Sequence, residues 1–188
     1  MTGLALAAAL ALVGECALPP DWQGEATRGL SGLTRVAGDA YYAVRDSGGW
    51  LYALTIGVDR ATGSVTNCAF TGRTRLAGRD DLECVAWDRA RRRVWVGDED
   101  DGSIRAFDPA TGAERAVVAV PAVFDAFRYN RSFEALTLRS DGLEMWACNE
   151  EALCRREAEG RTAKKAAPVR ATTPDVDDGP RATRAHGT

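Results

Sequence analysis

The sequence predicts an all-β protein, an incomplete β-propeller of about two and a half four-stranded blades with a disordered C-terminal tail. Three observations carry that expectation. The segment Leu30-Ser-Gly-Leu-Thr34 returns as Leu82-Glu-Cys-Val-Ala86 and as Phe133-Glu-Ala-Leu-Thr137, with starts 52 and 51 residues apart. Each copy is followed by a second matching segment: Tyr42-Ala-Val-Arg-Asp46, Trp95-Val-Gly-Asp-Glu99 and Trp146-Ala-Cys-Asn-Glu150. The 188 residues include 19 Gly and 5 Trp at 45% apolar and 27% charged, which suits turn-rich sheet and excludes wholesale disorder. Two linked motifs at a constant period indicate repeating units.

The strands follow in order. In the first unit, residues 30–36 turn at Ala-Gly-Asp into 40–46; Ser-Gly-Gly leads to 50–58, and Asp-Arg-Ala-Thr-Gly to 64–70. In the second, 82–87 turn into 94–99, Asp-Asp-Gly leads to 103–107, and Asp-Pro-Ala-Thr-Gly to 113–120. The third yields 133–139 and 143–150 around Ser-Asp-Gly. Short runs punctuated by Gly, Asp and Pro are strands joined by turns. A ten-strand sandwich is the alternative, but a sandwich has no such period. Two and a half blades cannot close a ring, so the expectation is a piece of a longer protein, or one that associates through open blade edges.

The ends of the chain differ from its body. Residues 4–13 are Leu, Ala and Val only. Such a run is too short to span a bilayer and has the length of a secretory core, although no Lys or Arg precedes it. The reading is a signal peptide over 1–20 with cleavage after Cys16, hence a secreted or periplasmic protein; a buried first strand is the alternative. The blades occupy 26–153. Residues 154–188 lack strand patterning and read as coil or an inserted loop. Cleavage would leave Cys68, Cys84, Cys148 and Cys154, with three pairings open. Cys84 and Cys148 fall inside strand patterns as core residues, and Cys148 with Cys154 could close a small disulfide loop.

Net charge is −3, with the basic residues of the body scattered among acids. No basic patch interleaved with aromatics exists, so nucleic acid is not an expected partner. The one His, His186, lies in the tail, and neither a Gly-x-Ser-x-Gly elbow nor a phosphate-binding Gly loop occurs. Chemistry, if present, belongs to the carboxylates. In an antiparallel hairpin the start of one strand and the end of the next share one end. Those places hold Glu83 with Glu99, Glu134 with Glu150, and Ser31 with Asp46; Asp98 and Asn149 precede the strand-end acids. Crowded carboxylates repel. Either a hard cation such as Ca²⁺ relieves them, or one keeps a proton and becomes suited to acid–base work. Alternatively each pairs with Arg45, Arg105 or Arg128, or faces solvent.

Residues 29–153 resemble the phytase-like β-propellers described as "esterase-like activity of phytase". The resemblance rests on Gly29-Leu-Ser-Gly-Leu-Thr34, Leu82-Glu-Cys-Val-Ala-Trp87 with Val94-Trp-Val-Gly-Asp-Glu99, Arg128-Tyr-Asn-Arg-Ser-Phe-Glu134 and Asn149-Glu-Glu-Ala-Leu153. Asp178-Gly-Pro-Arg-Ala-Thr183 resembles the segment that normally follows closely; here 24 residues intervene. Cys84, Ala135 and Arg131 stand where Gly is usual. The resemblance implies Ca²⁺-assisted hydrolysis of a phosphoester on a small anionic substrate. Glu83 and Glu134 would be catalytic, Asp46, Asp98, Glu99 and Glu150 would hold the metal, and Arg128 and Asn130 would bind the substrate.

Overall fold

The computed structural model describes residues 12–121, 124, 132–150 and 169–172. Thirteen strands and no α-helix occur among them. A two-residue ribbon, β1 (Asp21–Trp22) with β2 (Glu25–Ala26), precedes three larger antiparallel sheets. The first sheet runs β3 (Leu30–Ala37), β4 (Ala40–Arg45), β5 (Trp50–Val58), β6 (Val65–Arg75) in chain order. The second runs β7 (Leu82–Asp88), β8 (Arg93–Asp98), β9 (Ser103–Phe107), β10 (Glu114–Val117). The third holds β11 (Phe133–Leu138), β12 (Glu144–Asn149) and β13 (Val169–Thr172).

Local chemistry explains the meander. In the β5–β6 turn the Asp59 carboxylate accepts the N–H groups of Ala61 and Thr62, both at 2.9 Å, and Gly63 takes the left-handed conformation, φ 77°. The β9–β10 turn repeats this with Asp108, Ala110, Thr111 and Gly112, φ 70°. Asp-x-Ala-Thr-Gly therefore encodes one turn twice.

The sheets stack through their faces. Tyr42, Val44 and Leu51 of the first sheet pack against Leu82, Val85, Val94, Val96 and Phe107 of the second. The opposite face of the second, with Cys84, Trp95, Ile104 and Ala106, packs on Phe133, Met145 and Ala147 of the third. First strands lie side by side, β3 against β7 and β7 against β11. The outer face of the first sheet is covered by the N-terminal segment: Leu18 and Trp22 pack on Tyr52 and Phe70, and Cys16 is disulfide-bonded to Cys68. On the third sheet the equivalent outward positions Ala135, Thr137, Trp146 and Cys148 are exposed.

Several expectations are corrected. Strand β6 continues to Arg75, beyond the predicted 70, because a register shift between Ala53 and Leu54 absorbs Thr71 as a bulge and the pairing resumes at Gly72. Residues 169–172, expected as coil, pair as β13 with β12. Cys148 is an exposed free thiol and not a core residue, since the alternation of β12 turns Met145, Ala147 and Asn149 inward instead; Cys154 lies outside the described residues. Cys16 holds Cys68, so a cut after Cys16 would remove half of that disulfide. No helix of the described residues is long and apolar enough to cross a membrane.

Candidate functional site: a carboxylate rim

One backbone device, present three times, builds the rim. The first strand of each large sheet opens with a β-bulge. Pairing passes from Leu30↔Arg45 to Gly32↔Val44, from Leu82↔Asp98 to Cys84↔Gly97, and from Phe133↔Asn149 to Ala135↔Cys148. The extra residues are Ser31, Glu83 and Glu134. A bulge re-aims the side chain of its extra residue, and here it does so at one end of every sheet. The residue after each second strand is then tied back. The N–H groups of Asp46, Glu99 and Glu150 donate to the carbonyls of Gly29, Asp81 and Ser132 at 3.0, 2.9 and 3.0 Å.

The outcome is a chain of acids across the second and third sheets. One carboxylate oxygen from each of Asp81, Glu83 and Glu99 lies within 4.8 Å of the others, and the same holds for Glu99, Glu134 and Glu150. Glu99 belongs to both groups. It is 7% exposed, and its Oε1 accepts the Ser132 N–H at 2.9 Å. No Lys, Arg or His among the described residues forms an ion pair with Asp81, Glu83 or Glu99.

Proton affinity follows from burial first and from that crowding second. Burial pushes Glu83 up to about 7, helped by the charges of Glu134, Asp81, Glu99 and Asp46. Burial and then Glu99 and Asp100 push Asp81 up to about 6, while a hydrogen bond with Glu83 pulls it back down. Both groups therefore favour the protonated form more than an ordinary carboxylate does, Glu83 more than Asp81.

Of the residues singled out by sequence, Glu83, Glu99, Glu134 and Glu150 come together. Asp46 raises the Glu83 pKa through its charge yet stands in neither group; its carboxylate lies over Gly29, and Arg45 Nε is 4.0 Å away. Asp98 turns elsewhere, with its Oδ2 3.0 Å from Arg79 Nη1, so it is not part of the cluster. Alternation is the reason: neighbours on a strand point to opposite sides. Arg105, a candidate counter-ion, is bound to Asp101 and Glu114. Arg128 and Asn130 lie outside the described residues. Asp81 was not singled out, because the equivalent positions in the other units are Gly29 and Ser132 and carry no acid for the repeat to flag.

Fold and rim together define an all-β protein of successive antiparallel sheets with a carboxylate-lined end. The model of the phytase-like family, described as esterase-like activity of phytase, matches residues 25–186. The chain belongs to that family. The match continues well beyond residue 153, where the blade pattern was expected to stop, and takes in β13.

Among solved structures the chain is similar to the hydrazine synthase of Kuenenia stuttgartiensis, at 15% identity over 73% of this chain and 35% of that one, TM-score 0.42. It is also similar to the glutaminyl cyclase of Myxococcus xanthus, at 11% identity over 81% of this chain and 58% of that one, TM-score 0.45. None of the curated proteins matches the sequence.

Proposed function

We propose that the chain is part of an extracytoplasmic β-propeller whose acidic rim binds a divalent cation, Ca²⁺ by preference, and assists hydrolysis of a phosphoester. The three large sheets are read as consecutive blades with β3, β7 and β11 innermost, and family membership supports that reading. Export is supported by the Cys16–Cys68 disulfide, because such bonds persist in oxidising compartments.

The observation that carries the proposal is the pair of carboxylate groups meeting at Glu99. The donor set fits the ion. It is all oxygen and formally anionic, which suits a hard cation over zinc or copper. Oxygens on one Ca²⁺ are at most about 5 Å apart, twice the Ca–O distance, and the grouped carboxylate oxygens all lie within that span of one another. Glu99, Glu134 and Glu150 would hold it, with Asp81 and Asp46 bordering. Once bound, the cation supplies Lewis-acid polarisation and draws in an anion that bare carboxylates would repel. Glu83 holds a proton near neutrality and would move it to or from a reacting oxygen, with Asp81 as its hydrogen-bonded neighbour. Glu134, the residue on the next bulge, is a ligand in this reading and leaves proton transfer to Glu83. Arg128 and Asn130 remain the proposed substrate-binding pair.

The test is thermal melting and p-nitrophenyl phosphate turnover with millimolar CaCl₂ or with EDTA. We expect Ca²⁺ to raise Tm and to be required for turnover, and Glu99→Gln to abolish both responses. Identical melting with and without Ca²⁺ rejects the cation site. A Ca²⁺-dependent rise in Tm without turnover points instead to a ligand-binding propeller without catalysis.

A further inference from the structure

The end of the second sheet opposite the acids has a different character. Strand β7 separates the two ends by its 7 residues, or about 20 Å at the usual strand rise. There the β7–β8 turn, Asp88 to Arg93, faces the β9–β10 turn across a cleft of about 660 Å³. Its lining carries Arg91, Arg92, Arg93 and Arg115 against Asp108 and Glu114.

Both walls are fixed. Asp88 is buried and accepts the Arg91 N–H at 3.1 Å, and its Oδ2 lies 3.1 Å from Arg93 Nε. The Arg93 guanidinium also lies over the Trp95 ring at 4.6 Å. The opposing turn is tied to the end of β6 and the link after it, with Thr74 Oγ1 donating to the Pro109 carbonyl at 2.8 Å and Ala77 N–H to the Gly112 carbonyl at 3.0 Å. The acids of the cleft are already engaged, Asp108 by Arg115 at 2.7 Å and Glu114 by Arg105 at 3.2 Å. Arg91 and Arg93 share Asp88. Arg92 makes no ion pair with any described residue, is exposed, and sits in the left-handed region at φ 53°. A bulky side chain there is uncommon and concentrates at functional positions.

We propose that this cleft binds a small molecule bearing two or more phosphate groups, gripped between Arg92 and Arg115 with Arg91 behind them. With Asp88 included, four arginines meet three acids, of which Glu114 is taken by Arg105, and guanidinium forks match phosphate oxygens bidentately. The volume is that of a small-molecule site and exceeds what one inorganic phosphate fills. The site is separate from the carboxylate rim and needs no divalent cation.

Calorimetric titration of the full chain with pyrophosphate, in EDTA, tests this. Saturable one-to-one binding is expected, tighter than for inorganic phosphate by about tenfold. Arg92→Gly keeps the left-handed backbone, so it should leave Tm unchanged or higher while weakening pyrophosphate by about tenfold or more. Arg115→Ala should weaken it as well, and Arg60→Ala, in the distant β5–β6 turn, should not. Equal loss in Arg60→Ala would mean unspecific attraction and overturn the proposal. So would binding that requires Ca²⁺ and disappears in Glu99→Gln, or no binding in EDTA at all.

Discussion

The first and second sheets share a rim scaffold but not its chemistry. Both bulge after the first residue of the leading strand, and both tie the residue after the second strand to the carbonyl just before the first. On the first sheet the bulge residue is Ser31, whose hydroxyl donates to the Leu82 carbonyl and so stitches β3 to β7. On the second it is Glu83, which joins Asp81 and Glu99. The flanking pair is exchanged too. Gly32 faces Val44 on the first sheet, while Cys84 faces Gly97 on the second and Ala135 faces Cys148 on the third. One small and one larger side chain meet at each bulge, with the larger one on either strand. On the first two sheets packing fixes the combined volume and leaves open which strand supplies it, whereas Ala135 and Cys148 on the third are exposed.

Breaking that volume rule should give the largest effect. A Cβ on Gly97 would lie 2.5 Å from Cys84 Sγ. Gly97→Val, which imitates the first sheet on one strand only, is expected to destabilise by about 3 kcal/mol through overpacking. Adding Cys84→Gly recreates the Gly32–Val44 combination and should recover most of the loss. A urea-melt double-mutant cycle reads the coupling, and additive losses would show that the two positions do not share one space.

The same comparison explains what the sequence could reveal. Period and turn residues locate β5 and β9 at the boundaries they adopt, because Asp-x-Ala-Thr-Gly and Gly-rich turns act locally. The convergence of Glu83, Glu99, Glu134 and Glu150 was legible because hairpin topology brings each pair together and the repeat sets the two pairs at the same end of neighbouring sheets. The bulges were not: a bulge shows only as an extra residue against a partner strand, and no local signal marks Ser31 or Glu83 as that residue. Asp81 was hidden for a related reason, since its position matters through a carbonyl common to all three units while only one unit puts an acid there. The fate of Asp98 turned on alternation along β8, which aims it away from its neighbour Glu99. The Cys16–Cys68 bond crosses 52 residues and pairs a segment read as a leader with the outer strand of the first sheet. Nothing within either segment announces the other.

A smaller effect separates the sheets by pH. Glu83 and Asp81 hold protons in the folded state up to about 7 and about 6, against ordinary values of 4.5 and 3.8. Between those limits the folded chain binds more protons than the unfolded one, so stability is highest below the unfolded values and falls as pH rises through the folded ones. The acids with lowered values, Asp59, Asp101, Asp108 and Asp141, act in the opposite sense and only below the ordinary carboxylate value of 3.8. In EDTA, Tm should therefore decline from about pH 5 to about pH 8. Glu83→Gln should flatten the decline, whereas Ser31→Ala, on the equivalent bulge of the first sheet, should leave its slope alone. A slope untouched by Glu83→Gln would mean that the rim does not carry the proton.

The smallest effect is also the most discriminating about the rim. Ser31→Glu would give the first sheet the bulge residue of the second. It loses the hydroxyl tie to Leu82, worth about 1 kcal/mol, and sets a carboxylate beside Asp46 and near Glu83. In EDTA at about pH 8 the two losses should add, because the new charge faces acids that are already ionised. With Ca²⁺ present the electrostatic part should vanish and only the lost tie should remain, since an extra oxygen donor on the same rim stabilises the bound form by mass action. A Ser31→Glu protein equally destabilised with and without Ca²⁺ would show that the first sheet lies outside the reach of the cation. The binding groups would then be confined to the second and third sheets, around Glu99.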